Sequence, residues 1–250
     1  MYAVLWYVLT ATVASLTLLG VALKLSKAFQ EAFFVRFFLP AATYLIKRDE
    51  FERIRREVLS PLNDLVSHDP ALRKDGFVRV LEIGAGFGSN FEFIERKVKY
   101  WNVDPNAEFG PEFRKAASKN PLVELEHCVR GYGEEMGVVP DSCVDAVVIT
   151  HLLCSVKDAK KVLSECKRVL ARGGRLLFME HVAQPEGTWA NLLQRLLDPA
   201  WELLVCGCHL NRSSGELLRN AGFDRLELKE SYLAITAILS RHVYGFACLE

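Results

Sequence analysis

The chain has 250 residues, in which 31 lysines and arginines balance 31 aspartates and glutamates. No net field recruits nucleic acid, and the length suits one α/β core with an appendage rather than two independent enzyme domains. Seven cysteines, an odd number at irregular spacing, exclude a disulfide framework and read as core or site residues of a reducing compartment.

The first element is apolar. Tyr2 to Leu23 contains 22 uncharged residues, enough at about 1.5 Å per residue to cross a hydrocarbon core of roughly 30 Å. A cleaved signal peptide is the alternative, but no basic residue precedes the run and it exceeds the usual ~7–15-residue apolar region. Lys24, Lys27, Arg36, Lys47 and Arg48 all follow it, which predicts that the rest of the chain stays on the cytosolic side, whether the helix spans or inserts monotopically. From Phe29 to Ile46, Phe29, Phe33 and Phe37 recur every four residues among scattered polar groups. That pattern predicts an interfacial helix ending near Pro40, or else a helix packed on the catalytic domain. Residues 1–48 therefore read as anchor and interfacial segment, with a boundary near Asp49.

Asp49 to Val66 is charged, with Phe51, Ile54, Val58, Leu62 and Leu65 at helical spacing, an amphipathic helix leading into the domain. Beyond it short apolar runs alternate with helical stretches: FVRVLEIG, YWNVD, LVELEHCV, VDAVVIT and GRLLFMEHV are strand candidates. Such alternation implies a parallel sheet with crossover helices and ligands at the carboxyl ends of the strands. RLELKES and the final HVYGFACLE follow each other with little helix between, which predicts a closing antiparallel hairpin.

The strongest local signal is VLEIGAGFGSN, residues 80–90, where a strand runs into Gly84, Gly86 and Gly88. Glycine there permits positive φ and close approach of backbone to a ligand. A dinucleotide fingerprint starting at Gly84 needs glycine at position 89, which is Ser89, so pyrophosphate is disfavoured. With Glu82 two residues ahead, the pattern resembles motif I of Rossmann-like methyltransferases, whose loop faces the methionine part of the cofactor. Asp104 ends the second strand, where a carboxylate accepts ribose hydroxyls; Asp-Pro-Asn is also turn chemistry, so a capping role stays open. In GYGEEM, Glu134 is the candidate for the adenine side, with a solvent-facing glutamate as the alternative. Thr150 and His151 close the fourth strand against the cofactor or substrate.

Taken with HLLCSV, MEHVAQPEGTW, DPAW and HVYGFA, the chain resembles the methyltransferase-like protein 7 family of membrane-associated thiol S-methyltransferases over nearly its whole length. The resemblance implies a Rossmann-like seven-stranded methyltransferase sheet over residues 49–250, mostly parallel with a C-terminal antiparallel strand. It also implies S-adenosyl-L-methionine as cofactor, small lipophilic thiols as acceptors, and a cytosol-facing place on endoplasmic reticulum and lipid-droplet membranes. No nucleic acid and no obligate protein partner is implied. The chain departs from the pattern in GAGFG, at His151 where leucine is usual, and at Cys206 where an acidic residue is usual.

Methyl transfer from a sulfonium is an in-line displacement, and a thiol with a pKa near 8.5 needs little help to ionise. His151 and His181 are candidates for a base or an electrostatic partner, against the common case of a hydrogen-bonded structural histidine. Cys206, Cys208 and His209 suggest a metal cluster but lack a matching second pair, so no metal is expected. Residues 188–214, with Trp189, Trp201, Cys206 and Cys208, read as a wall of the substrate pocket, though both tryptophans also suit a core. The competing functions are methylation of carbon or oxygen on a membrane lipid or quinone precursor, and a non-enzymatic cofactor-binding protein.

Overall fold

The computed structural model describes residues 2–41 and 48–250. Helix α1 (Tyr2–Leu25) is followed by α2 (Lys27–Phe33), which runs without a break into a π-helical turn over Phe34–Phe38. Ser26 separates the two helices by capping α2: its hydroxyl accepts from the Phe29 N–H. An 18-residue stretch of α1 has a mean hydropathy of 1.9, the helix is long enough to cross a membrane, and Leu23 is its one buried side chain.

The aromatic segment after α1 lies against the catalytic domain. Gln30 donates to the Leu203 carbonyl at 2.7 Å, Phe34 meets Phe109 edge-on, Phe38 meets Trp201 edge-on, and Arg36 pairs with Glu108. Packing on the domain is thus the arrangement seen, although Phe29 and Phe37 remain exposed. Helical backbone continues past Pro40 to residue 41, and the rest of the predicted segment to Ile46, with the flanking Lys47, lies outside the described residues.

Helix α3 (Arg48–Leu59) and the 3₁₀ turn Ser60–Leu62 bury Ile54, Val58 and Leu62, three positions marked by the helical spacing, against one face of the sheet. The remaining elements are α4 (Pro70–Lys74), β1 (Val78–Ile83), β2 (Val98–Val103), α5 (Gly110–Ala117), β3 (Val123–Val129), β4 (Val144–Thr150), α6 (Ala159–Val169), β5 (Leu170–His181), α7 (Trp189–Leu204), α8 (Ser214–Arg219), β6 (Arg225–Tyr232) and β7 (Arg241–Cys248). Strand order is β3-β2-β1-β4-β5-β7-β6, with β1 to β5 parallel and β7 inserted antiparallel between β5 and β6. The predicted closing hairpin is present, and its second strand is the one that joins the parallel sheet.

Central strands are buried on both faces, as a parallel sheet requires. Val78 and Val80 of β1 point to the α3 side, while Leu81 and Ile83 join the cluster built with Val162, Leu163 and Cys166 of α6. Two local features differ from the sequence pattern. β1 ends at Ile83 and β2 begins at Val98, leaving room among loop residues for only a 3₁₀ turn, Phe91–Phe93, where a crossover helix is usual. The Gly173-Gly174 pair, read as a turn before the fifth strand, lies inside β5 at a register shift against β4, with Gly173 at φ 76° taking up the bend.

Candidate active site

The carboxyl ends of β1, β2, β4 and β5 open into one cavity of about 1770 Å³. It is lined by the glycine loop, Asp104, Glu134, Thr150, His151, His181, Trp201, Cys206 and Cys208, and on its other side by Lys27, Phe34 and Phe38 from the N-terminal segment. Of the residues singled out by sequence, Glu82 and Trp189 do not border it.

The three glycines do different things. A side chain at Gly88 would come within 2.4 Å of the Phe91 ring, and one at Gly84 within 2.9 Å of the movable end of Leu152, so packing requires glycine at 88 and the left-handed φ of 72° favours it at 84. Gly86, at φ 54°, would meet nothing nearer than Phe109 at 3.8 Å: its bare backbone borders open space. Its N–H donates to Asp104 Oδ2 at 3.1 Å, while Asp104 Oδ1 accepts from the Asn106 N–H at 2.9 Å. Burial raises the Asp104 pKa, opposed by these two backbone bonds. A glycine loop and a carboxylate held together at adjacent strand ends fit a nucleoside cofactor: the loop for its chain, the acid for its ribose.

Glu82 works behind that loop. Its carboxylate accepts from Asn90 Nδ2 at 2.7 Å and from the Tyr100 hydroxyl, and Asn90 also donates to the Thr150 hydroxyl at 3.1 Å. Burial pushes its pKa from 4.5 to about 8. The unfolded chain therefore loses this proton near pH 4.5 while the folded chain keeps it to about pH 8, so wild-type stability should fall across that window as pH rises. Glu82→Gln, which has no proton to lose, should flatten that slope by an amount on the order of a few kcal/mol between the two ends. Chemical denaturation of both proteins at acid and mildly alkaline pH checks this, and parallel profiles would count against a buried, protonated Glu82.

Glu134 is also inward-turned rather than solvated: Oε1 accepts from the backbone N–H of Lys157 at 2.8 Å and of Asp158 at 3.3 Å, while buried Oε2 has no partner among the described residues. His151 sits in the left-handed region at φ 55°, a conformation that costs about 1–3 kcal/mol for a non-glycine residue and clusters at functional sites. Its Nε2 lies 3.1 Å from Nε2 of His242, whose Nδ1 is 3.2 Å from the Ser240 carbonyl. A carbonyl can only accept, so His242 donates through Nδ1 and accepts at Nε2, and His151 is the donor between the rings. His151 Nδ1 is thereby the unprotonated ring nitrogen. Burial lowers both pKa values, that of His242 to about 4, so the pair is neutral at physiological pH.

His181 ends β5 with its Nε2 at 3.1 Å from Cys208 Sγ, and Nδ1 is buried without a partner among the described residues. Adjacent Glu180, fully buried, turns to the opposite side and accepts from the backbone N–H groups of Leu152, Leu153 and Cys154. Burial raises the Glu180 pKa to about 7. Cys206, expected in the pocket wall, lies 3.6 Å from the Gln30 carbonyl, and burial pushes its thiol up to about 11.

Trp189 is placed differently from the expectation. It opens α7 with 68% of its surface exposed, in a stripe with Leu192 and Leu196. The buried side of α7 carries Ala190 and Gln194, so the i, i+3, i+7 set faces outward. Cys154 and His242 had no assigned role from sequence; each becomes significant only when β4, β5 and β7 lie side by side.

A methyltransferase domain model matches residues 81–178. The chain is 36% identical to human thiol S-methyltransferase TMT1A over 93% of its own length and 91% of the relative's. It is 38% identical to rat thiol S-methyltransferase TMT1B, covering 72% and 71% of the two chains. Among solved structures, an S-adenosylmethionine-dependent methyltransferase from Thermotoga maritima superposes with TM-score 0.55 at 17% identity, covering 87% of this chain and 99% of that one. Another from Methanosarcina mazei gives 0.53 at 18%, covering 74% and 99%. These neighbours share the fold. With a glycine loop and ribose-type acid at the strand ends and near full-length identity to the human relative, the chain is an S-adenosylmethionine-dependent methyltransferase and belongs to the methyltransferase-like protein 7 family, the thiol S-methyltransferases.

Proposed function

We propose that the enzyme methylates the sulfur of small lipophilic thiols at a cytosol-facing membrane surface, on endoplasmic reticulum and lipid droplets. Residues 1–48 would serve as anchor and mouth, and residues 49–250 as the catalytic domain. The observation that carries this reading is the shape of the cavity: the glycine loop and Asp104 lie on one side and the aromatic segment directly after α1 on the other. An acceptor dissolved in the bilayer would enter past Phe34 and Phe38.

Bound in the cavity, S-adenosylmethionine supplies an electrophilic methyl group on a sulfonium. Gly84, Gly86 and Gly88 would hold its methionine part, Asp104 its ribose and Glu134 its adenine side, while Thr150 and Glu82 keep the loop in place through Asn90. Trp201, Cys206 and Cys208 would bound the acceptor. His151, kept neutral by burial, offers Nδ1 to the proton leaving the acceptor sulfur, and His181 is the second titratable group on the wall. Such modest base strength suits a thiol, a few per cent ionised near neutrality, better than a phenol or a carbon acid.

Transfer of labelled methyl by purified full-length protein tests the acceptor. Alkyl thiols should be methylated and matched phenols should not, and methylation of phenols alone would overturn the thiol assignment.

Support for the membrane comes from exposed apolar surface in two places: α1, and the Trp189–Leu192–Leu196 stripe of α7, the helix against which α1 packs. Full-length protein should stay in the pellet through alkaline carbonate extraction, and a variant lacking residues 2–25 should be largely released. Extraction of the full chain itself would argue against an inserted helix.

A further inference from the structure

We propose that Cys154, His181 and Cys208 form a zinc site in the wall of the cavity, with its fourth position open to the acceptor side. The fold assembles what the sequence keeps apart: Cys154 follows β4, His181 ends β5, and Cys208 follows α7. Their ligating atoms all lie within 4.8 Å of one another, and all three residues are buried. The sequence-based argument against a metal counted donors near Cys206 and His209. Those two turn away, Cys206 toward Gln30 and His209 toward Asp198 at 2.9 Å, and the missing ligands come from other strands.

The donor set decides which ion fits. Two sulfurs and an imidazole select zinc over magnesium, calcium or manganese, which prefer oxygen. Tetrahedral zinc, with bonds of about 2.3 Å to sulfur and about 2.0–2.1 Å to nitrogen, holds its donors roughly 3.5–3.8 Å apart. The present 3.1 Å between His181 Nε2 and Cys208 Sγ is shorter than that spacing and the 4.8 Å limit of the cluster longer, so the side chains must adjust to close on the ion. Three protein ligands with a vacant fourth vertex is the arrangement of catalytic rather than structural zinc.

Backbone ties make the cluster rigid. Glu180 holds the turn carrying Cys154 through three N–H groups, the His209 N–H donates to the Cys154 carbonyl at 2.8 Å, and Arg212 donates to the Leu153 carbonyl at 2.6 Å. A site fixed in this way loses little conformational freedom on taking up an ion. Binding requires both cysteines as thiolates, so their two S–H protons pass to solvent as zinc enters. The hydrogen bond between the two thiols, and then burial, raises Cys154, while the same bond, helped by His181, lowers Cys208, so the pair is already unequal in its hold on protons. The ion satisfies both sulfurs at once. The site is argued from these residues alone and does not depend on which acceptor is methylated; with zinc bound, His181 is a ligand and His151 remains as the titratable group.

The test uses the full chain, purified in detergent without chelator and kept reduced by a phosphine. Elemental analysis should find about one zinc per chain, the stoichiometry of a single tetrahedral site. Cys154→Ser and Cys208→Ser should each weaken zinc affinity by about tenfold or more, while Cys206→Ser should leave it unchanged. Because the first two variants could misfold, cobalt is loaded into the metal-free wild type: tetrahedral d–d bands with strong sulfur-to-cobalt charge transfer are expected. Wild type that takes up neither zinc nor cobalt, an octahedral cobalt spectrum without charge transfer, or equal loss of metal in Cys206→Ser and Cys208→Ser would each overturn the site.

Discussion

Asp104→Ala should abolish measurable methyl transfer at cofactor concentrations that saturate the wild type. The carboxylate has two tasks in the folded chain, fixing the glycine loop through the Gly86 N–H and presenting itself to the cavity at the end of β2. Hydrogen bonds to a charged group are worth about 1.5–3 kcal/mol each, so losing the two ribose contacts proposed for Asp104 would cost about 3–6 kcal/mol, a factor of roughly 10² to 10⁴ in cofactor affinity. Gly86 and Asn106 both line the cavity, so their freed N–H groups can turn to water there and the fold itself should survive. Titration calorimetry with the cofactor, beside thermal melting without it, separates the two effects. Asp104→Asn retains one acceptor oxygen and should fall between the variant and the wild type. Undiminished binding by Asp104→Ala would remove Asp104 from the cofactor site.

Why some of this was legible in the sequence and some was not follows from how far apart the cooperating residues lie. Period-two and all-apolar runs mark β1 to β7 because burial acts on each strand separately. The glycine loop is legible for the same local reason: Gly84 and Gly88 answer to Leu152 and Phe91, but their need for positive φ shows as a pattern in one short segment. Asp104 is legible because it ends a strand. Cys154, Glu180 and His242 are not, because their roles arise from the pairing of β4 with β5 and of β5 with β7, where His181 stands opposite His242. The cysteine pair misled for a related reason: Cys206 and Cys208 look equivalent in sequence, but Cys206 at φ 50° and Gly207 at φ 93° reverse the chain and send the two sulfurs to different neighbours. Trp189 misled because tryptophan suggests burial, and only the phase of α7 shows it facing out.

Glu180→Ala should have the largest effect on stability, and it joins the fold to the site. The carboxylate is wholly buried and is the acceptor for the backbone N–H groups of Leu152 at 2.8 Å, Leu153 at 3.0 Å and Cys154 at 3.3 Å. Alanine leaves those donors without their acceptor, two of them on the buried residues Leu153 and Cys154, at about 1–3 kcal/mol for each, and opens a void besides. Against a total stability of about 5–15 kcal/mol, the sum is a large fraction, equivalent to a fall in melting temperature of about 10 °C or more. Glu180→Gln keeps the volume and one acceptor oxygen but turns an N–H₂ toward one of the donors, so it should lose less. The same three bonds place Cys154 against Cys208, and their loss should free that turn before the whole domain unfolds. Cys154, 1% exposed in the wild type, should then react with a thiol reagent under native conditions in Glu180→Ala and stay protected in the wild type. A variant that melted normally with Cys154 still protected would show that β4 holds the turn without Glu180. In that case the convergence of Cys154, His181 and Cys208 would have to be explained by the backbone of the loop alone.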